Sequence, residues 1–222
     1  MNPPKALLSW SSGKDAAWAL HILRQQGELE VVGLLTTTNS AFERVAMHGV
    51  RERLLEAQAE AVGLPLWKVP LPWPCANEAY EECMAGACAR AVREGIEIMA
   101  FGDLFLEDVR AYRIQKLMGT GLRPIFPLWG SETAGLARQM IRAGLKATLA
   151  CVDPRALGAD FAGRDYDEAL LAELPASVDP CGEHGEFHTF VWDGPSFSHP
   201  LPIQRGERVE RDGFVFADLV LA

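Results

Sequence analysis

The sequence predicts an α/β fold, with a doubly wound parallel sheet followed by a small C-terminal α+β appendage. Over roughly the first 150 residues, short apolar segments alternate with helical patterns, as in consecutive βαβ units. The segment 31–35 is apolar on both faces, which is typical of a parallel strand covered by helices on both sides. After Pro154 only one more helix and a hairpin are predicted. We therefore expect a first domain over residues 1–152 and a smaller one over residues 153–222.

The composition limits the classes of function. The chain has 222 residues, 49% of them hydrophobic, and a formal net charge of −9, which argues against an extended nucleic-acid surface. No apolar run approaches the ~20 residues of a membrane span, and no signal peptide is recognisable, so a cytoplasmic location is expected. The five cysteines include no C-x-x-C pair, which favours reduced thiols over a disulfide framework.

Apolar periodicity and capping residues predict the elements in order. The first strand, Leu7-Leu8-Ser9, is followed by further strands at 31–35, 65–69, 96–101 and 145–152. Helices are predicted over 16–26, 50–62, 76–93, 107–118, 131–142 and 167–174, with Ser131 as the N-cap of the fifth. Asp212-Gly213 is a two-residue turn signal for a hairpin between 205–211 and 214–221.

The segment Ser11-Ser12-Gly13-Lys14-Asp15 lies where the first strand passes into the first helix. A helix N-terminus offers unpaired N–H groups and the positive end of the dipole to an anion. Lys14 opposes that dipole, so an anionic ligand explains its position better than a structural role does. The segment is not a Walker A loop, because Leu8 stands where that motif needs glycine and Asp15 where it needs Ser or Thr. Asp15 indicates instead a carboxylate that reaches phosphates through a metal ion.

Polar residues also follow two other predicted strands. Thr36 ends the second strand, and Gly102-Asp103 follows the strand at 96–101. Because ligands of doubly wound folds bind beyond the carboxyl ends of the strands, these residues and the Lys14 loop are expected to share one crevice. Asp103 is either the N-cap of the next helix or a contact to metal and ribose. If the crevice binds a nucleotide, Met47 and His48 lie where its base could rest, although a lone His at a helix start is more often a polar contact.

The segment from Cys181 to His188 concentrates a thiol, two carboxylates and two imidazoles around two glycines. We favour a substrate-binding loop, because charged side chains are costly to bury without partners. A zinc site of Cys181, His184 and His188 has suitable ligand types but lacks an obvious fourth ligand. An ordinary glycine-containing turn before a strand is the third interpretation.

These motifs resemble a known family. Residues 11–16 resemble the S-G-G-K-D-S loop of ATP pyrophosphatases of the adenine nucleotide alpha hydrolase-like superfamily, also called the PP-loop superfamily. The ordered set along nearly the whole chain resembles the diphthine-ammonia ligase family; it adds Met47-His48-Gly49, Gly102-Asp103 followed by Tyr112, Leu128-Trp129, and the block 182–186. Ser12 stands where the family has a glycine, Ala16 where it has a serine, His184 where it has a glycine and His188 where it has an acidic residue.

The resemblance implies a five-stranded HUP-type sheet and a ligase reaction. In that reaction ATP activates a carboxylate as an acyl-adenylate, pyrophosphate leaves, and ammonia then attacks to form an amide. The acceptor is diphthine or another acid, carried by a small molecule or a protein side chain. One alternative is a nucleotide-binding sensor without turnover. Another is an RNA-modifying enzyme, which would require a persulfide-carrying cysteine pair and a basic surface that binds RNA.

The resemblance also implies roles for individual residues. Phosphates and Mg²⁺ would be held by Ser11, Ser12, Gly13, Lys14 and Asp15, with Asp15 as the metal contact. Adenosine would lie near Thr36, Met47 and His48, and the ribose and α-phosphate near Gly102 and Asp103. The acceptor or ammonia would be met by Tyr112, Glu183, His184, Glu186 and His188. Lys14, Asp15, Glu183 and Glu186 are the expected catalytic residues.

Overall fold

A computed structural model describes residues 3–39, 44–45 and 50–222. Its strands are β1 (Lys5–Ser9), β2 (Glu30–Asn39), β3 (Arg44–Val45), β4 (Leu66–Leu71), β5 (Ile98–Ala100), β6 (Arg123–Ile125), β7 (Lys146–Val152), β8 (Phe187–Asp193), β9 (Ile203–Arg211) and β10 (Phe214–Leu221). Its α-helices are α1 (Lys14–Gln26), α2 (Glu52–Val62), α3 (Asn77–Arg93), α4 (Glu107–Leu117), α5 (Thr133–Arg142) and α6 (Glu168–Glu173). A short 3₁₀ helix covers Ala159–Phe161.

The first sheet confirms the predicted parallel architecture. β1 lies at its centre, between β2 and β5, and both pairings are parallel. β4 pairs with β2 and β6 with β5, again in parallel, while β3 runs antiparallel to the end of β2. The central position suits the composition of β1, because Ala6, Leu7 and Leu8 are fully buried. The strand that precedes the Lys14 loop is therefore held rigidly from both sides.

The helix ends follow from local chemistry. Gly27 and Gly63 end α1 and α2 with φ angles of 65° and 69°, in the left-handed conformation that glycine adopts without strain. The predicted N-cap of α5 is wrong by one residue. Glu132 rather than Ser131 caps this helix, and its carboxylate accepts hydrogen bonds from the backbone N–H groups of Ala134 and Gly135. A carboxylate at that end is also favoured by the helix dipole.

The second sheet is antiparallel, with strand order β8-β7-β10-β9. β7 therefore belongs to this sheet and not to the parallel one, although the alternation of the sequence grouped it with the first 150 or so residues. The hairpin between β9 and β10 is confirmed, since Asp212 and Gly213 both have positive φ angles, 52° and 79°. The proposed division at residues 152 and 153 stays a prediction.

Helix α1 packs against both sheets. Trp18, Ala19 and Leu20 are at most 2% exposed, and α1 contacts β1, β2 and β8. The larger hydrophobic core therefore runs from the parallel sheet through α1 into the antiparallel sheet. A smaller core lies around Leu35, Met99 and Leu117. Within the described part of the chain, no helix has the length and apolar character needed to cross a membrane.

Candidate functional site

The loop between β1 and α1 has an unusual backbone. Ser12 has a φ of 70°, in the left-handed region that side-chain-bearing residues rarely adopt, at a cost of about 1–2 kcal/mol. Ser12 is fully buried, and its hydroxyl has no hydrogen-bond partner among the described residues. A strained residue with an orphaned buried hydroxyl is typical of a binding site, where a ligand supplies the missing partner.

Gln58 of α2 holds this loop and was missed in the sequence analysis. Its Oε1 accepts from the indole N–H of Trp10 at 2.9 Å, and its Nε2 donates to the carbonyl oxygens of Ser12 at 3.0 Å and Val191 at 2.6 Å. The available signal was a polar residue on the buried stripe of α2, three and four residues after Leu55 and Leu54. The three partners are 48, 46 and 133 residues away, which no local pattern reveals.

Lys14 is the buried cation of the site. It is 3% exposed, and its Nζ donates to both carboxylate oxygens of Asp15, at 3.0 and 2.8 Å, and to the carbonyl oxygen of Cys181. Its backbone N–H donates to the hydroxyl of Thr189 at 3.0 Å. Burial alone would lower the pKa of Lys14, but Asp15, Cys181 and Glu183 raise it. The net shift is upward, so Lys14 carries its positive charge at neutral pH.

The turn that precedes β8 is built on two carboxylates. Asp179 accepts from the backbone N–H of Cys181 at 2.8 Å, and its second oxygen accepts from the hydroxyl of Thr133. Glu186 is 5% exposed and accepts from the backbone N–H groups of Asp179 and His184, both at 2.9 Å. Both oxygens of Glu186 are thus used in shaping the turn.

Glu183 is presented by this turn toward the Lys14 loop. Burial, and then the nearby Asp15, raise the pKa of Glu183 to about 7, while Lys14 lowers it. Asp179 and Asp103 also raise it through their charges. Burial likewise raises the pKa of Asp15 above its ordinary value, although Lys14 opposes the shift. Carboxylates from the loop, the β5 end and the turn therefore lie within electrostatic range of one another, around one buried ammonium group.

β2 and the residues after β5 meet the same loop, as predicted from the topology, but Thr36 does not end its strand, because β2 continues to Asn39. The hydroxyl of Thr36 donates to the carbonyl of Trp10 at 2.6 Å. Gly102 approaches the start of α1 so closely that an added Cβ would lie 2.9 Å from the carbonyl carbon of Asp15. Asp103 forms an ion pair with Arg113 of α4, with Nε and Oδ2 2.6 Å apart. Asp103 is not the N-cap of α4, a position that Leu106 occupies.

A cavity of about 230 Å³ opens beside the loop, at the end of β1 and against β2. Ser11 and Thr36 line it on the strand side, and Tyr80 and Arg113 on the helix side. Tyr112 is placed elsewhere: it is 43% exposed and lines a neighbouring cavity of about 400 Å³ that shares Tyr80 and Arg113 with the first. Met47 and His48 lie outside the described residues.

The described residues give no support to the zinc interpretation, since no three His, Cys, Asp or Glu side chains among them are arranged to hold a metal ion. The thiol of Cys181 donates to the carbonyl of Thr133, and burial raises its pKa to about 12. His184 is exposed, its ring 5.5 Å from that of Phe105. Burial, followed by Lys14, lowers the pKa of His188 to about 4.

These features define an α/β protein whose first helix begins at a Gly-Lys-Asp loop covered by a second, antiparallel sheet. Comparison with protein families agrees with this description over most of the chain. The diphthamide synthase N-terminal domain matches residues 4–124, and the diphthamide synthase C-terminal domain matches residues 132–218. The chain belongs to the diphthamide synthase family, which confirms the resemblance found from its motifs.

Several curated proteins are similar to this chain at low sequence identity. The diphthine–ammonia ligases of Bos taurus and Homo sapiens are each 26% identical to this chain over 186 residues, covering 76% of it and 68% of the relative. The diphthine–ammonia ligase of Danio rerio is 28% identical over 186 residues, covering 76% of this chain and 72% of its own length.

Proposed function

We propose that the protein is an ATP-dependent ligase that converts a carboxylate into an amide. The carboxylate attacks the α-phosphorus of ATP, pyrophosphate leaves, and the acyl-adenylate forms. Ammonia then attacks the acyl carbon, AMP leaves, and one proton is released. The observation that carries the proposal is the buried ammonium of Lys14, which lies at a helix N-terminus and is bonded to the turn that presents Glu183.

The residues of the loop fit the phosphates of a nucleotide. The orphaned hydroxyl of Ser12 is a donor in need of an acceptor. The N–H of Lys14 already donates to Thr189, but the N–H groups of Asp15 and Ala16 also lie in the first turn of α1 and have no acceptor earlier in the helix. Lys14 and these N–H groups would stabilise the charge that develops on departing pyrophosphate. The cavity lined by Ser11 and Thr36 would take the adenosine. Gly102 and Asp103 would lie near the ribose and α-phosphate.

Mg²⁺ fits the donor set only together with the nucleotide. Asp15 offers hard carboxylate oxygens, the ligands that Mg²⁺ prefers, but the described residues contain no set of three ligands for a metal. Asp15 would therefore hold the ion jointly with the phosphates. A bound Mg²⁺ would neutralise phosphate charge during the departure of pyrophosphate.

Glu183 and Glu186 receive different roles. Both oxygens of Glu186 already accept hydrogen bonds from backbone N–H groups, so we assign to Glu186 the role of holding the turn in position. Glu183 has a raised pKa and lies within electrostatic range of Lys14 and Asp15. A carboxylate with a pKa near neutral would be suited to take the proton that the attacking nitrogen loses. His184, which lies in the turn, and His188, which lies in β8, would face the acceptor. Diphthine, named in the relatives, is the first acceptor to test.

The test is a product assay with ATP, Mg²⁺, ammonium and a panel of carboxylic acids that includes diphthine on its carrier protein. The proposal expects AMP and pyrophosphate in equal amounts, formed only when the right acid is present. A mass spectrum taken without ammonium should show the acyl-adenylate, whose acyl half identifies the acceptor. ADP as the only nucleotide product would refute the proposal, and tight ATP binding without AMP from any acid would favour a nucleotide sensor.

A further inference from the structure

Gln58 is the side chain that connects the Lys14 loop to the antiparallel sheet. It is fully buried, it comes from a helix that contributes nothing else to the site, and it makes hydrogen bonds to Trp10, Ser12 and Val191. An uncharged amide buried among apolar residues is costly unless its bonding capacity is used. Here the carbonyl oxygen and the nitrogen are both used, and the nitrogen donates twice.

The pattern of donors and acceptors fixes which way the amide points. Its oxygen faces the indole N–H of Trp10, which can only donate, and its nitrogen faces the carbonyl oxygens of Ser12 and Val191, which can only accept. If the amide were reversed, its nitrogen would face the N–H of Trp10, so that two donors met. Its oxygen would face the carbonyl oxygens of Ser12 and Val191, so that two acceptors met at each contact. The three partners therefore require an amide at this position.

The contact to Ser12 determines the direction of the next N–H group. The carbonyl of Ser12 accepts from Gln58 and also from the backbone N–H of Val191 at 3.0 Å. In a trans peptide the carbonyl oxygen and the following N–H point in opposite directions. Two donors on the Ser12 carbonyl thus point the N–H of Gly13 away from Gln58 and Val191, toward the hydroxyl of Ser11 at 3.4 Å. Successive N–H groups around a left-handed residue are a common anion-binding arrangement.

We propose that Gln58 is a positioning residue for phosphate binding, acting through the Ser12–Gly13 peptide. The inference rests on the proposed function, because it takes the loop to be the phosphate site. It also explains how Ser12 is tolerated at a φ of 70°, since the two donors on its carbonyl hold the peptide in the orientation that the strained backbone requires. The dependence on Gln58 should therefore be greater with serine than with glycine at position 12.

The test uses the full-length chain and measures the dissociation constants of ATP and of pyrophosphate by calorimetry. Gln58→Met keeps the size of the side chain but makes no hydrogen bonds. We expect it to weaken both ligands about tenfold, the equivalent of one lost hydrogen bond. Gln139→Met is the matched control, because Gln139 is an exposed residue of α5, and it should bind as the unmodified protein does. In a Ser12→Gly background the loss caused by Gln58→Met should shrink to about threefold or less.

A second variant separates positioning from a merely structural role. In Gln58→Glu the ionised carboxylate would face two carbonyl oxygens, whereas the protonated acid can donate to one of them. The ratio of its ATP affinity to that of the unmodified protein should therefore rise as the pH falls from about 8 to about 6, since a buried carboxyl titrates above its usual range. Because ionisation of a buried carboxyl also lowers the free energy of unfolding, thermal melts of Gln58→Glu are recorded at each pH. A merely structural role would give a ratio that changes only where the variant begins to unfold, whereas a positioning role gives a ratio that changes while the variant is still fully folded.

The outcomes are distinguishable. If the unmodified protein binds neither ATP nor pyrophosphate, the proposed function fails. If it binds both, and Gln58→Met melts cooperatively and binds as tightly, the positioning role is overturned. If Gln58→Met does not fold, the pH series of Gln58→Glu decides, and a ratio that does not change with pH while the variant is fully folded overturns the inference.

Discussion

The ammonium group of Lys14 donates to the main-chain carbonyl of Cys181, which is 167 residues further along the chain. This bond joins the loop that would bind phosphates to the turn that presents Glu183. The N–H of the same lysine bonds to Thr189 of β8, so both ends of one residue contact the C-terminal segment. The two halves of the proposed reaction, phosphate departure and nitrogen attack, are therefore linked through Lys14.

Replacing Lys14 should abolish most of the catalysis. Lys14→Ala removes the only cation bonded to Asp15 among the described residues and leaves a partly buried carboxylate without its partner. By analogy with the loss of one donor to a developing anion, we expect a decrease in AMP formation of about 10²–10³-fold. The rate is measured as AMP released at saturating ATP.

Lys5→Ala provides the control for this substitution, because Lys5 is an exposed residue at the start of β1. It should leave the rate unchanged. A Lys14→Ala protein that releases AMP at an undiminished rate would contradict the assignment.

The pH dependence of amide formation should follow the ionisation of Glu183. Because burial raises its pKa to about 7, Glu183 is largely protonated at pH 6 or so and is a base only above its pKa. At a constant concentration of free ammonia, the rate should rise as the pH increases through about 7. Glu183→Gln should be slower and should lose this rise, whereas the exposed Glu97→Gln should keep it. A rise that persists in Glu183→Gln would assign the proton acceptor to another group.

The same group should make the folded state less stable as the pH increases. A carboxyl with a raised pKa binds its proton more tightly in the folded than in the unfolded chain, so its stabilisation is complete below about 4.5 and is lost by about 7. Relative to Glu183→Gln, the unmodified protein should lose about 1–3 kcal/mol of unfolding free energy across this interval. Urea titrations of both proteins at several pH values measure the difference.

Gly102→Ala should displace the start of α1. Its Cβ would lie 2.9 Å from the carbonyl carbon and 3.0 Å from the carbonyl oxygen of Asp15, and neither backbone atom can move without the loop. We expect a loss of about 1–3 kcal/mol in unfolding free energy, the usual cost of overpacking, together with weaker ATP binding. Gly86→Ala is the control: position 86 is helical with no atom within 4 Å of the added Cβ, and alanine there should be neutral or stabilising.

The strain at Ser12 can be isolated with two variants. Ser12→Gly and Ser12→Ala both remove the buried hydroxyl, but only glycine adopts a φ of 70° without cost. Ser12→Gly should therefore be more stable than Ser12→Ala by about 1 kcal/mol, as measured by chemical denaturation. Equal stabilities would show that this backbone conformation is not strained in solution.

The features that sequence reasoning predicted are those coded by neighbouring residues. The first strand, the helix ends at Gly27 and Gly63, and the Asp212-Gly213 turn all follow from short-range patterns. The convergence of Thr36 and Gly102 on the loop followed from topology, because parallel strands bring their carboxyl ends to one edge.

The features that it missed depend on distant partners. β7 has the composition of a parallel strand, and only the positions of β8 and β10 place it in the antiparallel sheet. Gln58 and Thr189 were overlooked because one polar residue in a buried stripe or strand has no signature until its partners are known. Glu186 illustrates the same limit, since its sequence context does not distinguish a carboxylate that meets a ligand from one that meets backbone N–H groups.

The sheet to which β7 belongs has a consequence for attempts to divide this protein. A fragment ending at residue 152 would carry β7 without either of its neighbours, leaving two rows of backbone N–H and C=O groups exposed along an apolar strand. The same cut would remove Val191 and Thr189, the partners of the Ser12 and Lys14 backbone groups. Two separately expressed halves would have to associate before the N-terminal half could offer an ordered anion-binding loop.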